Sequence, residues 1–288
     1  DGADERRSER TGTRKLPSPT YSRVRGVPIP PRLLNDLRFA LEHTRWPIAS
    51  HRRGVDAQKY LLVSSSPSAA ASGPGAGSAG ASADTGTATG AGGAGFDSQW
   101  DAGFVHPIRA AVITPNDADR DMWSVRDVLY ARYNADAFER VVYTESHDEV
   151  ANGRSRVPEE IWPGNAASWY SKKRSTLGAA IVMTAPGIPM LFQGQELLED
   201  GFFTDTDPID WSRAVTFGGI RDLYRDLISM RRNLGGFTQG LRGQHINVHH
   251  VNNGAKAIAY HRWDAGGAGD DVVVFANFSA ASYPSYRV

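Results

Sequence analysis

The sequence predicts an α/β fold in which short parallel strands alternate with helices, followed by a small antiparallel all-β region. Three observations predict it. Apolar runs such as Val141–Thr144 and Pro189–Phe192 each stop abruptly in polar residues, as buried strands of parallel sheets do. Between them lie segments whose apolar residues recur at helical spacing, and strand–helix alternation implies parallel β/α units wound right-handed. After Gly240 the apolar period falls to two, and Asn252-Asn253-Gly254 marks a hairpin.

Four regions follow in order. Residues 1–63 form a divergent N-terminal segment. Its first part, to Pro31, is Arg- and Pro-rich and is expected to be unstructured. Leu33, Leu34, Leu37, Ala40 and Leu41 trace a helical face, and Tyr60–Val63 reads as a short strand. Residues 64–95 are almost all Ala, Gly, Ser, Thr and Pro with Asp84 as the one charge. They cannot bury enough surface to offset their ordering entropy and are expected to be a disordered linker. Residues 96–235 carry the β/α units. Phe96–Trp100 reads as a strand, and Phe104, Val105, Ile108, Ala111 and Val112 as a helix. A second helix starts near Asn116-Asp117 and carries Met122, Val125, Leu129 and Tyr133. The strand Val141–Thr144 leads through a loop, Val150–Asn165, to a helix over Ser168–Thr184 that Pro186-Gly187 ends. The strand Pro189–Phe192 precedes an amphipathic helix through Ile220, Leu223, Tyr224, Leu227, Ile228 and Arg231, closed by Gly235-Gly236. Residues 236–288 hold strands at Ile246–Val251, Lys256–Trp263 and Val272–Phe278, with the start of another at Ser282–Val288.

The bulk numbers exclude several function classes. Lys+Arg and Asp+Glu both number 32, so the net charge is zero. That disfavours nucleic acid or a membrane surface held by bulk electrostatics. Without cysteine there is neither a disulfide framework nor thiolate chemistry. No apolar run reaches the length of a membrane span. Asp1–Lys15 lacks the apolar core of a secretory signal, so the expected compartment is cytoplasm or plastid. The histidines lack partners at metal-ligand spacing, since neighbours such as His249 and His250 face opposite ways in a strand. No metal and no cofactor is expected, and the oligomeric state is left open.

Ser146-His147-Asp148-Glu149, directly after the Val141–Thr144 run, is the most informative stretch. A carboxylate beside a neutral His can grip vicinal hydroxyls, and Asp148 can also stabilise a cationic sugar transition state. A loop Asp capping a helix beside a merely hydrogen-bonded His147 explains the same residues, and the position at a strand end brings the two readings level. A Ser146-His147-Asp148 triad is discounted, because adjacent residues point to different sides and rarely converge, and no Gly-x-Ser-x-Gly elbow accompanies them. Trp100, Trp162, Trp169, Phe202, Phe203 and Trp211 can stack on sugar faces. Trp162 is the favoured platform, whereas Trp169 is expected to pack in the core. Glu196 follows a strand and either binds substrate or holds the strand end. Arg154, Arg156 and Lys172-Lys173-Arg174 are expected to be solvated.

Val141–Glu149 resembles the fourth conserved region of the α-amylase superfamily, glycoside hydrolase family 13, in the form found in α-1,4-glucan branching enzymes. Supporting segments keep the family order. Gly95–Trp100 with Phe104-Val105-His106 is similar to the sixth strand of its barrel, Gly187–Glu196 to the eighth strand and loop, and Asp207–Trp211 to the stretch beyond. The resemblance covers residues 93–288. It implies an incomplete (β/α)8 TIM barrel, comprising about its last three strands, followed by a truncated antiparallel domain. It implies an α-glucan partner (glycogen, starch or amylose), with Asp148 as the carboxylate that stabilises the transition state and His147 on the same sugar. Glu149, Trp162 and Glu196 complete the candidate substrate-binding set.

The departures from the family are equally specific. Retention of configuration requires a nucleophilic Asp and an acid/base Glu about 5 Å apart. The nucleophile region, roughly Gly-Phe-Arg-x-Asp, does not occur. The acid should follow the strand preceding Gly95. The candidate for that strand, Tyr60–Val63, runs into Ser64-Ser65-Ser66 instead, and a serine cannot act as a general acid near neutral pH. Two readings therefore stand: part of a branching-type enzyme, inactive as this chain, or a non-catalytic glucan-binding or scaffold remnant.

Overall fold

The computed structural model describes residues 22–24, 27–29, 60–64 and 96–288, apart from 268 and 284. The expected helix at Leu33–Leu41 and nearly all of the linker at 64–95 lie outside the described residues. Strands β1 (Ser22–Val24) and β2 (Val27–Ile29) pair antiparallel with each other. Strand β3 (Tyr60–Ser64) forms where the sequence predicts it, but not where the barrel reading needs it. It pairs antiparallel with a strand near the C-terminus, so it is not the neighbour of the segment after Gly95.

From Phe96 the β/α alternation unfolds as predicted. Strand β4 (Gln99–Trp100) is followed by helix α1 (Ala102–Ile113), whose N-cap Asp101 accepts from the Phe104 N–H. Phe104, Val105, Ile108, Ala111 and Val112 are its buried face. The next helix starts later than the sequence suggests. Asp117–Asp119 form one 3₁₀ turn, and α2 (Met122–Tyr130) is capped by Asp121, which accepts from the N–H groups of Trp123 and Ser124. Two side-chain acceptor bonds at Asp121 outweigh Asn116, which makes no capping bond. Strand β5 (Arg140–Val142) pairs parallel with β4 on one side and with β6 (Ile188–Pro189) on the other. The loop between β5 and β6 contains the short helix α3 (Val157–Ile161) and then α4 (Trp169–Thr184), which Ser168 caps by accepting from Ser171 N.

Strand β6 is shorter and more open than the predicted Pro189–Phe192. Only Ile188 and Pro189 pair, and Ile188 is exposed because no further strand covers that edge among the described residues. Gly187 precedes it at φ +134°, and a Cβ there would lie 2.8 Å from Val142 Cγ1, so the close approach of this turn to β5 requires glycine. After α5 (Arg213–Thr216) comes α6 (Gly218–Arg231), which buries Ile220, Leu223, Tyr224 and Leu227. Helix α4 is the centre of this half. Thr176 to Thr184 are buried without a break, packed against α1, α3 and α6.

The hairpin predicted at Asn252-Asn253-Gly254 joins β7 (His245–Asn252) to β8 (Ala257–Trp263), and β9 (Val272–Asn277) pairs antiparallel with β8. With β3 the sheet order is β3-β9-β8-β7. No strand forms over the described residues of 282–288. Ile258, Tyr260, Val272, Val274 and Ala276 face the helical half and join one core with Leu227, Leu241 and Val142. The fold is thus a three-stranded parallel sheet with helices, fused to an antiparallel sheet.

Candidate functional site

The chain leaves β5 through Tyr143 and Thr144 into the tight turn Glu145–Val150. Two groups from elsewhere fix Thr144. Arg109 of α1 donates to its carbonyl at 2.9 Å, and Gln195 Nε2 donates to its Oγ1 at 2.9 Å. The Ser146 carbonyl then accepts from the N–H groups of Glu149 and Val150, closing the turn.

The five consecutive polar residues Glu145 to Glu149 divide sharply in this turn, Ser146 being buried with the two glutamates. Glu145 points inward, 1% exposed. Its Oε2 accepts from Arg156 Nη1 at 3.1 Å and its Oε1 from the Val157 N–H at 2.7 Å. Burial pushes its carboxyl up from the usual range, and the Arg156 charge and the Val157 N–H oppose that rise. Glu149 also points inward, with Arg154 Nη1 at 2.7 Å, His106 Nδ1 at 3.7 Å and Arg109 Nε at 3.9 Å. Between them, His147 and Asp148 face solvent with side chains 55% and 68% exposed, His147 Nε2 lying 3.3 Å from Asp148 Oδ1.

Trp100, at the end of β4, completes the group. Its ring meets His147 edge-on at 5.5 Å and Tyr143 at 5.7 Å. Burial, followed by the negative charges of Glu149, Asp101 and Asp148, pushes the Tyr143 phenol up to about 12. An exposed His–Asp pair beside a half-exposed indole offers a hydrogen-bonding edge and an apolar face together. That combination suits a polyhydroxylated ring.

The other predicted positions fall elsewhere. Glu149 is the fastening of the turn, held in the cluster with Arg109 and Arg154. Trp162 lies just past α3, its ring 6.0 Å from Tyr170, and makes no ring contact with Trp100 or His147. Glu196 sits in a 3₁₀ turn after β6. It lines a cavity of about 680 Å³ with Phe192, Arg221, Tyr224, Arg225 and Arg232, and neither His147 nor Asp148 borders that cavity.

Two expectations about charges and rings are corrected. Trp169 is 43% exposed, because it and Tyr170 start α4 on its outward side, and its ring meets Tyr170 edge-on. Arg156, Lys173 and Arg174 are buried, not solvated. Arg156 is drawn in by Glu145, and Arg174 by the Thr114 carbonyl. The sequence carries no periodic sign of the Glu145–Arg156 pair, since its members stand eleven residues apart in a loop. Among the described residues no cluster of three or more His, Asp or Glu side chains gathers to hold a metal ion. Among them, too, no helix is long and apolar enough to cross a membrane.

The sequence relatives of this chain are 1,4-alpha-glucan branching enzymes, to which it is similar over up to two thirds of its length. It is 25% identical over 209 residues to that of Chlamydia pneumoniae, covering 67% of this chain and 26% of the relative. It is 28% identical over 144 residues to that of Novosphingobium aromaticivorans, covering 46% and 18%. The chain thus spans about a quarter or less of the length of these curated relatives. An α-amylase structure from H. orenii aligns with 64% of this chain and 39% of its own, at 17% identity and a TM-score of 0.43. No family model matches.

Proposed function

We propose that the chain holds an α-glucan at the mouth of a partial barrel and does not by itself break the glycosidic bond. In this reading β4, β5 and β6 correspond to the sixth, seventh and eighth strands of a (β/α)8 barrel, and residues 236–288 begin its antiparallel companion domain. Asp148 accepts hydrogen bonds from two hydroxyls of one glucose, His147 donates or accepts at the same ring, and Trp100 presents an apolar face beside them. Where the rest of a branching-type site is supplied, Asp148 would stabilise the oxocarbenium-like transition state.

One observation carries the proposal. Of the four consecutive residues Ser146 to Glu149, the structure turns His147 and Asp148 outward beside an indole and turns Glu149 inward into an ion cluster. An exposed, mutually adjacent acid and imidazole beside an indole supports a sugar-binding role over a purely structural turn. The test is retardation on a native gel containing glycogen, with amylose turnover measured in parallel. Wild type is expected to be retarded, Asp148→Asn to run as in a gel without glycogen, and neither to turn over amylose. Retardation unaffected by Asp148→Asn would refute the site. Turnover abolished by the same substitution would refute the inactivity.

A further inference from the structure

Glu145 and Arg156 make one connected structure out of two separate loops. Arg156 Nη1 donates to Glu145 Oε2 at 3.1 Å and to the Gln193 carbonyl, in the loop after β6, at 2.8 Å. Its guanidinium lies 4.6 Å over the Phe192 ring, and its backbone N–H reaches the Gly201 carbonyl at 2.7 Å. The Glu145 carboxylate spends its other oxygen on the first N–H of α3. Gln195 and Phe203 of the later loop add bonds to Thr144 and to the Val150 carbonyl. The turn bearing His147 and Asp148 is therefore fastened on both sides of those residues to the segment 192–203. Both charges of the pair are nearly inaccessible, at 1% and 5% exposure.

A buried ion pair is a poor device for stability, because desolvation consumes most of the Coulombic gain and apolar replacement is often neutral. It is a good device for fixing geometry, because its hydrogen bonds are satisfied in one arrangement only. We propose that Glu145 and Arg156 are positioning residues for the glucan site: they set the direction of the exposed His147–Asp148 pair relative to Trp100 without touching sugar. This inference rests on the glucan-binding reading of that pair.

The test uses the full chain labelled with 5-fluorotryptophan, and maltoheptaose as the probe. The Trp100 ¹⁹F resonance is assigned by Trp100→Phe. The variants are Glu145→Gln and the double Glu145→Gln/Arg156→Met, which removes both charges and so leaves none buried alone. The double variant is expected to melt near wild type, to shift the Trp100 signal while the other six tryptophan signals stay in place, and to bind maltoheptaose roughly tenfold more weakly, a loss of about 1.4 kcal/mol. Unchanged affinity, or an unmoved Trp100 signal, would overturn the proposal. If wild type fails to bind maltoheptaose, the glucan reading falls and the Trp100 signal alone decides: a shift keeps the positioning role and a fixed signal removes it.

Discussion

Replacing Arg262 by Met tests how the two halves of the fold are joined. Arg262 stands on β8 with no exposed surface, and among the described residues its side chain donates to backbone carbonyls and pairs with no carboxylate. Its Nε donates to the His245 carbonyl at 3.0 Å, its Nη1 to the Thr184 carbonyl at the end of α4, and its Nη2 to the carbonyls of Gly243 and, at 3.5 Å, Leu241. Burial, and then the charge of Arg231, lower its pKa well below the ordinary value. Met fills most of the volume but leaves the carbonyls of Thr184, His245 and Gly243 without their donor. Each orphaned acceptor costs about 1–3 kcal/mol, which makes roughly 3–9 kcal/mol together. Removing a buried cation returns several kcal/mol of desolvation, so a net loss of roughly 3 kcal/mol is expected. That is a large part of the 5–15 kcal/mol typical of a domain. Urea unfolding followed by circular dichroism measures it, with the surface variant Arg225→Ala as a control expected to stay within about 0.5 kcal/mol. A loss below about 1 kcal/mol in Arg262→Met would show that the carbonyl cage contributes little beside the apolar packing and the other hydrogen bonds between the halves, such as those of Tyr260 with Thr184 and of Lys256 with Arg120.

Other outcomes follow from equally local features. A Cβ on Gly240 would lie 2.4 Å from the Asp270 carbonyl oxygen and 2.6 Å from that of Arg262. Gly240→Ala is therefore expected to cost about 2–4 kcal/mol, whereas Gly254→Ala should stay within about 0.5 kcal/mol, both read as shifts in urea midpoint. Burial pushes the Tyr260 phenol up to about 12 while it pairs with Thr184. A raised folded value keeps this contribution intact below pH 10 and loses it as the pH climbs towards about 12. The loss of stability over that window should be smaller in Tyr260→Phe than in wild type, and equal losses would contradict the assignment. Among the described residues β4 and β6 have no outer neighbour, and Trp100 and Ile188 are exposed beside them, which should make the chain self-associate. Sedimentation velocity showing monomer at every concentration would count against that.

The periodicities of the sequence determine most of the element order because they report burial, and burial is local along a helix or strand. Phe104, Ile108 and Val112 mark α1, and Asn252-Asn253-Gly254 marks the β7–β8 turn, without knowledge of any partner. Placement is a different matter. Tyr60–Ser64 has the composition of a strand, yet nothing in it distinguishes a parallel neighbour of Gln99–Trp100 from the antiparallel edge it forms against β9. A pattern of alternating burial fits either pairing.

The same limit governs the site. His147 and Asp148 are legible because a charged stretch after a buried strand is unusual in itself. Glu149 reads as their equal in sequence, and the cluster of Arg109 and His106 from α1 with Arg154 from the following loop turns it inward. Arg156 reads as one more solvated charge until Glu145 is seen to draw it under the turn. Long-range ion pairs have no period, so the residues that shape a site are harder to read than those that face its ligand. In this turn two inward carboxylates are held by arginines from other segments, Glu145 by Arg156 and Glu149 by Arg109 and Arg154, while His147 and Asp148 stay outward.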